Sequence, residues 1–117
     1  MSTVSIRKTT GDDYAAIKAA VDQVIADIGG IEDIIKPGYK VIIKPNLVAC
    51  PTDRLSGGVT RWEVCLAIYE AVKALGAEPV IAESSAAGAD TELTIAKCGY
   101  QELRDKGIPV IDLKQKE

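Results

Sequence analysis

Between Lys40 and Lys44, Val41, Ile42 and Ile43 follow one another as an unbroken β-branched run. Such a run suits a strand buried on both faces, as in a parallel sheet; a half-solvated strand would alternate apolar and polar residues. Pro45 cannot donate to a sheet ladder and closes the strand. Just ahead, Pro37 and Gly38 hold the central positions of Lys36-Pro37-Gly38-Tyr39, the pair that specifies a type II turn. Parallel strands cannot be joined by hairpins, so the chain must supply crossover segments on either side.

The rest of the sequence supplies them. Thr3–Arg7 reads as a first strand with Val4 and Ile6 on one face. A helix follows, with Thr10 as its expected N-cap and Tyr14, Ile17, Val21, Val24, Ile25 and Ile28 at helical spacing. Gly29-Gly30 ends it, and a brief Ile31–Ile35 segment leads to the turn. After Pro45, the stretch from Asn46 to Val59 has no periodicity, and loops of that length in compact domains are usually functional or disordered. Thr60-Arg61-Trp62-Glu63 has the spacing of a capping box, with Thr60 and Glu63 each bonding the other's amide. The helix it opens runs to Leu75, buries Val64, Cys65, Ile68, Ala71, Val72 and Leu75, and stops at Gly76. Its Trp62, in the first turn, is expected in core or interface. A strand at Pro79–Ala82 delivers Glu83-Ser84-Ser85 at its end. Helical segments near Thr91–Cys98 and Tyr100–Lys106, closed by Gly99 and Gly107, precede a last strand at Ile108–Leu113 and a charged tail, Lys114–Glu117.

The order βαβαβαβ predicts a three-layer α/β/α domain with a parallel, Rossmann-like sheet of about four strands. Residues 1–117 are expected to form a single domain, either alone or as the N-terminal part of a larger one.

Composition narrows the function. Fourteen Lys and Arg against 17 Asp and Glu leave a net charge of −3, which lacks the basic footprint of nucleic-acid binding. No apolar run approaches membrane-spanning length. No basic-then-apolar leader opens the chain, so a cytoplasmic location is expected. Histidine is absent, which removes Ser-His-Asp and Cys-His machinery from this chain acting alone. The three cysteines, Cys50, Cys65 and Cys98, are odd in number and form no CxxC. That argues for a reducing compartment and against a zinc knuckle or cluster built from this chain. Cys65 and Cys98 fall at packing positions; Cys50, in the long loop, is the one to test for reactivity.

In open parallel sheets ligands sit beyond the carboxyl ends of the strands. Lys44 and Asn46 leave one strand there, Glu83 and Ser84 leave the next, and Thr60 and Arg61 open the helix between them. Gly57 and Gly58 precede that helix, and their flexible backbone beside a helix N-terminus is the chemistry of a small-anion site. It is neither a P-loop nor a GxGxxG turn. The bland alternative is that the glycines only give a loop, Thr60 only caps and Lys44 only pairs with Glu83.

The motifs Lys36-Pro37-Gly38-Tyr39-Lys40-Val41-Ile42-Ile43-Lys44-Pro45-Asn46-Leu47-Val48, Thr60-Arg61-Trp62-Glu63-Val64, Leu75-Gly76-Ala77, Glu83-Ser84 and Cys98-Gly99-Tyr100 occur in this order. Together they resemble the domain-of-unknown-function 362 family. The resemblance implies an uncharacterised protein, often iron–sulfur-linked and engaged in redox work, whose domain continues past Leu113 into a second half. It directs attention to Lys44, Asn46, Thr60, Glu83 and Ser84. An iron–sulfur cluster is expected only in a longer polypeptide, since clustered cysteines are missing here. The competing reading is a non-catalytic anion-binding or oligomeric module. Two open sheet edges lead us to expect a homodimer or a second half that completes the fold.

Overall fold

The computed structural model describes residues 2–115. In chain order these form α1 (Tyr14–Asp27), β1 (Lys40–Ile43), α2 (Trp62–Ala74), β2 (Glu78–Glu83), α3 (Thr91–Lys97), α4 (Gln101–Asp105) and β3 (Val110–Asp112). The strands make one parallel sheet in the order β1-β2-β3. Ile43 stands opposite Ile81, and Ile81 opposite Val110, which puts these three on one face.

That face carries the core. Ile43, Ile81 and Val110 pack with Leu66 and Tyr69 of α2, Ile95 of α3 and Leu103 of α4. The type II turn forms as the sequence dictates. Gly38 has φ of 83°, and the Tyr39 N–H donates to the Lys36 carbonyl at 3.1 Å. Glycine stops also hold at Gly29-Gly30, Gly76, Gly99 and Gly107, all with positive φ. Trp62 is half-buried and stacks on Tyr14 with ring centroids 6.4 Å apart.

Three expectations need correction. Thr3–Arg7 is not a strand among the described residues. Its polar positions, Ser5 and Arg7, bind the Asp27 carboxylate at the end of α1, which leaves Val4 and Ile6 82% and 88% exposed. The sheet therefore has three strands. The face opposite the core is largely bare: Ile42 and Ile111 there are 64% and 45% exposed, although Ala82 beside Ile111 is buried. The Val41–Ile43 run is apolar on both sides yet covered on one, so the arrangement has two layers. Third, α1 is capped by Asp13, whose carboxylate accepts from the Ala16 N–H at 3.1 Å, and Thr10 lies outside the helix. Lys114, the first residue of the charged tail, is tied back to the loop after β2. Its ammonium donates to Ser85 Oγ and to the carbonyls of Ala86 and Ala89. Lys116 and Glu117 lie outside the described residues.

Candidate functional site

All three strands deliver their carboxyl ends to one rim. The proline after β1 turns the chain so that Lys44 stays exposed while Leu47 is fully buried. Glu83, the last residue of β2, is 2% exposed. One carboxylate oxygen accepts from the Leu47 N–H at 2.7 Å and the other from the Ser84 N–H at 2.7 Å. The Lys44 ammonium lies 3.2 Å from that second oxygen, its side chain 61% exposed. A buried carboxylate thus stitches two rim turns together and holds a solvent-facing cation above them.

Thr60 and Asn46 are joined by two bonds. The Asn46 N–H donates to Thr60 Oγ1 and the Thr60 N–H donates to the Asn46 carbonyl, both at 2.9 Å. This pairing replaces the expected capping box. Because the Thr60 hydroxyl and amide are spent on the β1 exit, Arg61 becomes the N-cap of α2 and makes no side-chain cap bond. The Tyr100 hydroxyl donates to the Thr60 carbonyl at 2.9 Å from inside the core. Burial, with Cys65 beside it, pushes the Tyr100 phenol well above its ordinary range. It stays protonated, as the bond to Thr60 requires.

Glu63 turns instead to cations. Its carboxylate accepts from the guanidinium groups of Arg54 and Arg61, and Arg61 also reaches Asp12. Sequence reasoning missed Arg54, because the long loop has no periodicity by which to place it. The α2 N-terminus is thereby served by the protein's own carboxylate. Gly57 and Gly58 are exposed, and the Gly58 amide is spent on Ser56 Oγ at 3.3 Å. Among the expected site residues, then, the structure brings together Lys44, Glu83 and Ser84, ties Asn46 to Thr60, commits Arg61 to Glu63 and leaves the glycine pair outside.

Burial alone would raise the Glu63 carboxyl, but the hydrogen bonds from Arg54 and Arg61 outweigh it and hold it below its ordinary value of 4.5. A carboxyl lowered by folding stabilises the fold above its ordinary value, and the contribution is lost as pH falls through the folded one. The urea midpoint should therefore begin to drop below about pH 4.5. In Glu63→Gln that acid limb should be shallower. Parallel limbs in the two proteins would show that Glu63 does not carry the effect.

The cysteines do not fit a metal cluster. Cys65 and Cys98 are buried, and burial raises both thiols, against the thiolate form that ligation needs. Cys65 Sγ sits 3.3 Å from the Tyr100 hydroxyl. Cys50 is exposed, with Sγ 3.5 Å from Thr94 Oγ1. Among the described residues no group of three metal-ligating side chains comes together, and no helix is long and apolar enough to cross a membrane.

Polar side chains thus gather at the carboxyl ends of a small parallel α/β unit. The chain belongs to the family described as domain of unknown function (DUF362), which matches it over residues 41–117. It is 25% identical over 116 residues to the thylakoid-associated protein sll1697 of Synechocystis sp. (strain ATCC 27184 / PCC 6803 / Kazusa). That alignment takes in 97% of this chain and 35% of the relative, so the chain spans about a third of the relative's length. No solved structure matches it significantly.

Proposed function

We propose that this DUF362 chain contributes a small-anion site at the carboxyl ends of its strands, with Lys44 as the charged ligand. The observation that carries this reading is the Lys44–Glu83 arrangement. Glu83 is buried and satisfied by two backbone amides, while the ammonium it positions remains 61% exposed on its solvent side. Ser84 and Asn46, exposed and within two residues of Glu83 and Lys44 in the chain, would add neutral donors. A carboxylate or phosphate fits this set; the arrangement supports binding and names no reaction. The unpaired cysteines support a cytoplasmic setting. The iron–sulfur association that the family resemblance implies would require ligands other than these cysteines.

Titration of the protein with inorganic phosphate and with acetate, followed by amide NMR shifts, tests the site. Saturable shifts should centre on residues 44–47 and 83–85. Lys44→Ala should weaken the binding about tenfold, the worth of one charge-assisted bond. Its melting temperature should hardly move, because an ion pair with one exposed partner contributes about 0–1 kcal/mol. Absent shifts at millimolar ligand, or a large melting change with binding intact, would assign Lys44 to the fold alone.

The uncovered sheet face supports a further layer from a second copy or from additional polypeptide, since parallel sheets ordinarily bury both faces. Light scattering on the isolated chain separates the two: a dimer dissociated by Ile42→Lys points to the second copy, and a monomer to additional polypeptide.

A further inference from the structure

A groove of about 540 Å³ runs between α1, α2 and the free edge of β1. Its walls include Val21, Val24 and Ile25 of α1, Val41 and Ile43 of β1, and Ile68 of α2. Helix α1 packs on α2, and its Val21, Val24 and Ile25 border this open space. We infer that this groove is a vacant strand position, and that its occupant is the chain's own segment Thr3–Arg7, which docks as a fourth parallel strand on β1.

Three independent features converge on that occupant. The first is topology. The order β1-β2-β3, with the connecting helices over one face, is what successive right-handed crossovers in one direction produce. One step backwards along the chain, the same rule places the strand before α1 at the free edge of β1, beneath α1 where it already lies. The second is direction. Arg61 bonds the Asp12 carbonyl, so α1 begins at the rim where β1 ends. Ser5 and Arg7 lie at the far end of α1, on Asp27. The chain from Arg7 to Asp12 therefore runs parallel to β1, and Arg7 and Thr9 already border the groove. Docking Thr3–Arg7 there takes a slide toward the rim together with a lateral shift.

The third feature is chemistry. Val4 and Ile6 alternate with polar neighbours and are 82% and 88% exposed, while the groove, apart from Arg7 and Thr9, is lined by apolar side chains. A free strand edge also presents unpaired backbone groups that a β-prone segment satisfies. Asp27 is the competitor. Bonds from Arg7, Ser5 and Gln23 hold its carboxyl well below the ordinary range, so at neutral pH it is the charged tether that keeps the segment on the helix.

Backbone hydrogen exchange resolved residue by residue tests the assignment. In Asp27→Ala, whose lost contacts are with exposed or half-buried partners and which should still fold, the alternate amides within residues 3–7 that face β1 should exchange about 100-fold more slowly than in an unstructured chain. The unmodified protein should show less protection, because the tether competes. Adding Ile6→Asp to Asp27→Ala should abolish it. Unstructured-chain rates throughout residues 3–7 in Asp27→Ala would overturn the inference. So would protection that rises with protein concentration, which would give the slot to a strand of a second copy.

Discussion

Glu83→Ala should cost about 2–5 kcal/mol of folding stability, read as a fall in the urea midpoint, because it strips two backbone amides of their acceptor at once. Leu47 is fully buried, and its N–H points at the Glu83 carboxylate from a position with no access to water. An unsatisfied buried donor costs about 1–3 kcal/mol, and the Ser84 amide is half of a second such loss. Lys44 adds little to this total, since its ammonium returns to solvent. Glu83→Gln separates geometry from charge. The amide oxygen retains one of the two bonds while the NH2 group confronts the other N–H, so the loss should be about half as large. A Glu83→Ala midpoint within error of the unmodified protein would mean the rim is not held by this carboxylate. The anion-site reading would lose its support with it.

The contrast between Glu83 and Lys44 shows what the sequence could and could not disclose. A carboxylate after a strand and a lysine after its neighbour can be paired on paper, because strand order brings strand ends together. Which partner is buried depends on where Leu47 and the Ser84 turn fold back, and no local pattern encodes that. The same limit explains the lost capping box. Thr60-Arg61-Trp62-Glu63 has the right spacing for one, yet Asn46 captured Thr60 and two arginines captured Glu63. Asn46 lies 14 residues away and Arg54 within an aperiodic loop, while Arg61 sits inside the motif itself. Local signals with no distant competitor held: the Pro37-Gly38 turn, the glycine stops and the apolar stripe of α2. Thr3–Arg7 has strand alternation but sits on α1, since Asp27 offers its polar side chains a partner that the sheet edge does not. The covered and bare faces of β1 were likewise invisible in a run of three β-branched residues that would suit either.

Tyr100→Ala should be the most destabilising single change in the molecule, at about 3–5 kcal/mol for a fully buried aromatic side chain. Tyr100 has no exposed surface and is among the largest fully buried side chains. It belongs to the same buried cluster as Ile95, Cys98 and Leu103. Tyr100→Phe isolates the hydroxyl. That change leaves the ring in place but removes the donor to the Thr60 carbonyl and the contact with Cys65 Sγ, for a loss of about 1 kcal/mol. The functional consequence should match the stability cost in size. Thr60 holds Asn46 through both its amide and its hydroxyl, so the Tyr100 hydroxyl fixes, through one intermediate residue, the turn that carries Lys44 to the rim. Tyr100→Phe should therefore raise the Kd for phosphate severalfold while the protein remains folded. Cys65→Ala, which leaves the bond to Thr60 intact, should alter stability without altering that Kd. Equal Kd values for Tyr100→Phe and the unmodified protein would confine Tyr100 to packing. A rise in Tyr100→Phe alone would mean that the core of this domain sets the position of its rim.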